Sequence, residues 1–112
     1  MTRMARIFVL LLLLPLAQAQ AQTPADIQEG AKIWEGYFGL ENDCKLCHGV
    51  HGEGGFAKSL AGHQLTADQF IKAVRTGPGL MPAFVADKNL NDQQLSQVAA
   101  YLGSLPKYTG AA

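Results

Sequence analysis

The 112-residue sequence has little of what marks several large protein classes. Two cysteines are too few for a disulfide-dense scaffold. No stretch alternates apolar and polar residues as a half-buried strand does, and there is no internal repeat or low-complexity tract. An all-β or repeat architecture is thereby excluded. The longest apolar run, Ile7 to Leu14, has eight residues, against the roughly 20 needed to cross a hydrocarbon core. Charge of one sign is also missing, since nine basic residues face nine acidic ones. Without a basic stripe, the charge pattern gives nucleic-acid binding no support.

The short apolar run has a specific setting. Arg3 and Arg6 precede it, and Leu16-Ala17-Gln18-Ala19-Gln20-Ala21 follows with two overlapping small-residue exits. That order predicts a secretory signal peptide over residues 1–21, cleaved after Ala19 or Ala21, and export to the periplasm. Residues 22–112 are then the mature domain, with no transmembrane segment left. Loss of Arg3 and Arg6 leaves seven basic and nine acidic residues, a net charge of −2.

Three stretches predict helices. Thr23-Pro24-Ala25-Asp26 supplies an N-cap, a proline at the first helical position and an N3 acid, and Ile27, Ala31, Trp34 and Phe38 follow at helical spacing. This helix is expected from Pro24 to about Phe38, with Gly36 and Gly39 near its stop. Thr66 and Gln69 form a capping box flanked by Leu65 and Phe70, and Gly77-Pro78 ends the second helix. Asn91 and Gln94 repeat the device between Leu90 and Leu95, ahead of a stripe of Leu95, Val98, Ala99 and Leu102 that Gly103 and Pro106 close. The stripes read as core-facing surfaces. Long loops over 42–63 and 77–88 separate the helices. Three short helices with such loops bury little apolar surface, so a domain of this size calls for an internal staple or cofactor.

Both cysteines lie in "CKLCHG", residues 44–49. A structural zinc site needs a second pair of ligands, which only His51 and His63 are left to imitate. A thioredoxin-type pair belongs to a strand-helix unit, and no strand is visible. C-x-x-C-H is the attachment pattern of c-type haem. Two thiols one helical turn apart meet the two vinyl groups, and His48 then turns its imidazole to the iron. Cys44 and Cys47 are therefore expected as thioether anchors of one covalent haem c, and His48 as proximal ligand.

"GPGLMPAF", residues 77–84, supplies the companion. Met81 is the single methionine outside the signal segment, stands between Pro78 and Pro82, and follows His48 by 33 positions. A thioether opposite an imidazole gives six-coordinate iron with a raised potential and no open site, a ligand set for electron transfer. His51 and His63 are rival ligands, read more simply as loop histidines.

With these features the chain resembles a class I cytochrome c over nearly all of its mature length. The matching parts are the first helix, "CKLCHG", the loop ending in "SLAG" (59–62), the middle helix, "MPAF" and "VAAYLGSLP" (98–106). The resemblance implies an all-α cytochrome c fold: three main helices and long loops wrapped around one covalently attached haem. It also implies a close crossing of the terminal helices, where a glycine and an aromatic on the first meet Tyr101 on the last. Gly30 with Trp34 fits in residue type, and Gly36 with Leu40 fits in distance from Cys44; both pairings stand open. The family often carries a proline before the leucine of this loop, whose carbonyl orients the proximal imidazole. Lys58-Ser59 stands there instead, which leaves the acceptor for His48 unassigned. Leu60, Phe70, Val74, Leu80 and Phe84 are nominated as haem walls.

The expected function is transfer of single electrons between redox proteins, a donor and an acceptor, without bond chemistry. The stretch from "VRTGPGLMPAF" to "VAAYLGSLP" is also similar to cytochrome subunits of flavin dehydrogenases of the p-cresol methylhydroxylase type. A dedicated dehydrogenase subunit is thus an equal expectation, with Tyr37, Phe56 or Tyr108 available for an apolar docking patch. A haem domain that releases Met81 to sense or activate a ligand is a third reading, opposed by the two prolines that hold the loop.

Overall fold

The computed structural model describes residues 22–36, 44–84 and 90–110. The expected signal peptide, the first helix's continuation to Phe38, Leu40 and Tyr37 lie outside these residues. Among the described residues there are four helices and no strand: α1 (Pro24–Glu35), α2 (Cys44–His48), α3 (Ala67–Thr76) and α4 (Asp92–Ser104). None is long and apolar enough to cross a membrane.

Each long helix starts on the reciprocal cap legible in its sequence. The Thr23 hydroxyl accepts from Asp26 N at 3.2 Å while the Asp26 carboxylate accepts from Thr23 N at 3.1 Å. Thr66 with Gln69 and Asn91 with Gln94 repeat this exchange at 2.8–3.1 Å. Two otherwise orphaned donors are satisfied at each start. The ends differ from expectation. Gly36 turns left-handed at φ 81° and its N–H reaches back to Ile33, so α1 stops at Glu35. Gly103 lies inside α4, which ends one residue later with Leu105 extended ahead of Pro106.

The core joins three helices. Ile33 and Trp34 of α1, Phe70 and Val74 of α3, and Leu95, Val98, Ala99, Tyr101 and Leu102 of α4 form one buried cluster with Leu90. Fully burying a large apolar side chain contributes about 1.5–3 kcal/mol, so this cluster is the main stabilising term the polypeptide supplies. The crossing of α1 and α4 turns on Gly30. A Cβ there would stand 1.9 Å from the Gln97 carbonyl oxygen and 2.9 Å from Tyr101 Cβ, whereas one on Gly36 would meet nothing nearer than Lys45 Nζ at 4.0 Å. Gly30 is therefore the glycine of α1 that faces Tyr101.

The loop after α2 is laced onto this core. The Gly52 carbonyl accepts from Leu60 N, Ala61 N and Ser59 Oγ at 2.8–3.1 Å, and Gly62 N donates to Leu102 O at 2.8 Å. Gly52 itself has φ 68°, and a Cβ there would press on Leu102 at 2.7 Å. Trp34 Nε1 donates to the Val50 carbonyl at 2.9 Å, which ties the buried indole to the first turn beyond the histidine. The helical core thus sets where α2 and its loop stand.

Candidate haem site

Cys44 and Cys47 occupy positions i and i+3 of the single-turn helix α2, with His48 as its last residue. Lys45 Nζ donates to the Glu35 carbonyl at 3.1 Å and so docks α2 on the C-terminal end of α1. Neither cysteine is in a disulfide; Cys44 is half-buried and Cys47 exposed. Behind the turn, Gly54 N donates to His48 O at 2.6 Å and Ala57 N to Cys47 O at 2.9 Å. The motif's carbonyls are thereby held by the loop that follows.

The imidazole of His48 has a defined orientation. Its Nδ1 lies 2.8 Å from the Lys58 carbonyl oxygen, which can only accept. Nδ1 therefore carries the proton, and the Nε2 lone pair is left for a metal. This supplies the acceptor that the sequence left unassigned. A backbone carbonyl does the work, so the residue type at position 58 is free to vary.

Met81 is placed by the segment after α3. Gly77, at φ 66°, lets that segment fold back so closely that a Cβ would lie 2.6 Å from both Met81 O and Ala83 N. Met81 N donates to Pro78 O at 3.1 Å, and Phe84 N to Val74 O at 3.0 Å.

These two segments enclose a cavity of about 250 Å³. Cys44, Cys47 and His48 line it from one segment and Met81, Leu80 and Phe84 from the other, with Phe56, Ala57 and Pro82 completing the wall. Of the nominated residues, Cys44, Cys47, His48, Leu80, Met81 and Phe84 are brought together here. Phe70 and Val74 belong to the helical core, and Leu60 packs against that core rather than lining the cavity. Phe56 carried only the expectation of an exposed aromatic; it is exposed and also forms part of the wall. No periodicity in its glycine-rich loop signals that second role.

Two thiols, an imidazole with a free Nε2, a thioether and an otherwise apolar lining make a donor set suited to haem. The other histidines stand elsewhere. Leu65 N donates to His63 Nδ1 at 3.0 Å, so His63 Nε2 carries the proton and donates to Ala99 O at 2.9 Å, with the ring stacked on Phe70. His51 does not line the cavity. Among the described residues no three His, Cys, Asp or Glu side chains are grouped to hold a metal ion. A wider groove of about 650 Å³ beside α4 is lined by Gln22, His63, Thr66, Asp68 and Ser96 among others, and has no sulfur donor.

A family model described as cytochrome c oxidase, cbb3-type, subunit III matches residues 25–102. The chain belongs to this cytochrome c family. It is a monohaem c-type cytochrome domain and an electron carrier, and membership together with the Cys44–Cys47 pair implies covalent haem c. Its fold is that of the c-type cytochrome SorU from Sinorhizobium meliloti, at 24% identity and a TM-score of 0.55 over 74% of this chain and 93% of that one. The cytochrome is 36% identical over 66 residues to the menaquinol:cytochrome c reductase cytochrome c subunit of Geobacillus thermodenitrificans, covering 58% of this chain and 26% of that protein. The chain thus spans about a quarter of that curated relative. A crystal structure of p-cresol methylhydroxylase contains a chain 42% identical over 48% of this one and 73% of its own length, with a TM-score of 0.44.

Proposed function

We propose that the mature chain, residues 22–112, is an exported carrier of single electrons. One haem c would be held through thioethers from Cys44 and Cys47 and ligated by His48 and Met81. The supporting observation is that these four side chains line one apolar cavity. The haem supplies a one-electron ferrous–ferric cycle. His48 would contribute an Nε2 lone pair aimed by the Nδ1–H bond to the Lys58 carbonyl. Met81 would contribute a soft thioether, which favours the ferrous state and would leave the iron no site for other ligands. Leu80, Pro82 and Phe84 give the cavity an apolar wall on the thioether side, and Phe56 and Ala57 on the side of the cysteines. Electrons pass to and from partner redox proteins at the cavity's open edge.

Replacing Met81 by Ala tests the ligand assignment. The reduction potential is expected to fall, and the reduced variant to bind carbon monoxide where the wild type does not. A wild-type ferrous protein that binds carbon monoxide readily would refute the assignment.

A second reading is favoured by one surface feature. Phe56 and Leu80 are 97% and 105% exposed at the cavity wall, and Leu46 of α2 and Val50 just beyond it are also exposed. Such apolar surface suits a permanent subunit of a dehydrogenase or other redox complex, the setting named for the menaquinol:cytochrome c reductase relative. The native size of the haem-stained species in a gentle periplasmic extract separates the two readings. A shuttle runs near its own mass, whereas a subunit runs with a larger species and falls to that mass on denaturation.

A further inference from the structure

Arg75 stands in the last turn of α3, two residues before Gly77, with its side chain only 19% exposed. Its guanidinium donates three hydrogen bonds. Nη1 reaches the Phe84 carbonyl at 3.0 Å, and Nη2 reaches the Leu90 carbonyl at 2.7 Å and Asp92 Oδ1 at 2.9 Å. Phe84 lies three residues beyond Met81, and Leu90 directly precedes Asn91, the N-cap of α4. One side chain therefore ties the end of the Met81 segment to α3 and to the start of α4. The planar guanidinium presents its donors in a fixed fork and can serve both carbonyls at once.

The sulfur of a methionine is a weak ligand, and its hold on iron depends on how far the chain favours the closed position of its segment. Any shift toward an open position weakens ligation by the same factor. Backbone contacts at Gly77 and Val74 fold the segment back, but they act on the α3 side alone. Arg75 links that side to α4. We propose that Arg75 is the positioning residue that keeps Met81 on the haem iron, an inference that rests on the assignment of Met81 as axial ligand. Asp92 is 71% exposed, so its ion pair is screened and adds little. The two bonds to carbonyls carry the effect.

The test is titration of the ferric holoprotein with imidazole, which competes with Met81 for the iron, alongside the reduction potential. Gln can serve only one of the two carbonyls, so Arg75→Gln loses at least one charge-assisted hydrogen bond and is expected to tighten apparent imidazole binding at least about ten-fold. Its potential should fall, while the absorption band of methionine-bound ferric iron persists without imidazole. Arg75→Lys keeps the charge without the fork; it should fall between wild type and Arg75→Gln, and it carries the test if Arg75→Gln does not fold. Asp92→Asn should bind imidazole as the wild type does. Arg75 variants that melt at lower temperature yet keep wild-type imidazole affinity and potential would reduce Arg75 to a structural role and overturn the proposal. A wild type that binds imidazole as readily as Met81→Ala would instead remove the ligand assignment, and the proposal with it.

Discussion

Among the described glycines, Gly30 is the one whose added Cβ would meet the closest neighbour, and replacing it by alanine puts a number on the crossing of α1 and α4. The added Cβ would lie 1.9 Å from Gln97 O, 2.5 Å from Gln97 C and 2.9 Å from Tyr101 Cβ. Carbon–oxygen contacts settle near about 3.3 Å, so the helices must part by more than an ångström or bend. The obstacle is α4 backbone, which cannot swing aside as a flexible side chain would. Overpacking of this kind costs about 1–3 kcal/mol, and contact with backbone points to the upper end. Alanine's better helix propensity offsets about 1 kcal/mol. A net loss of about 2 kcal/mol lowers Tm by on the order of 10 °C in a domain of this size. The assay is a thermal melt of the ferric holoprotein followed at the haem band and by far-ultraviolet circular dichroism. Gly103→Ala is the control. It is also helical, but its Cβ would come no nearer than 3.5 Å to any neighbour, at His63 O. It should raise Tm by a few degrees. Equal melting temperatures for the two alanine variants would refute the close crossing.

Tyr101 gives a pH dependence. Its burial and the nearby Glu35 and Glu53 carboxylates push its pKa above the ordinary tyrosine value. Above about pH 10 the unfolded chain loses this proton while the folded chain still holds it. Stability is therefore full below that pH and falls as pH rises through the window between the two pKa values; Tyr101→Phe should flatten that alkaline decline in Tm. On the acid side, hydrogen bonds from Thr23 and Gln97 lower the pKa of Asp26. Its contribution is present above the unfolded value and lost as pH falls toward the folded one, so Asp26→Asn should make the acid decline shallower. Replacing Cys44 and Cys47 together by alanine should yield a chain that retains no haem on denaturation and shows little helical signal when native; a well-folded apo domain would show that the helical core suffices alone.

The parts of the fold that were legible in the sequence are those decided over three or four residues. Thr23 with Asp26, Thr66 with Gln69 and Asn91 with Gln94 fix helix starts by exchanging side-chain and backbone bonds, so residue type alone reveals them. The end of α1 was harder, because Gly36 and Gly39 offer the same conformational freedom and only the folded chain shows Gly36 in use. Choosing between Gly30 and Gly36 for the crossing needed the position of Gln97's backbone, which no property of α1 encodes. At the candidate site, Cys44, Cys47, His48 and Met81 announce themselves by chemistry and spacing. The acceptor for His48 does not, since a carbonyl is common to every residue type and that of Lys58 is selected by the course of the loop alone. Phe70 and Val74 were nominated as haem walls on apolar character; they also belong to the apolar stripe of α3, and the folded chain places them in the helical core against which Met81 and Phe84 pack.

The most direct measurement is a redox titration of the purified, haem-loaded protein with and without carbon monoxide. A six-coordinate electron carrier with Met81 on the iron is expected to show one reversible one-electron transition whose midpoint is the same under both conditions. A midpoint that rises under carbon monoxide, with a changed ferrous spectrum, would mean that the iron keeps an open site and would contradict the carrier function.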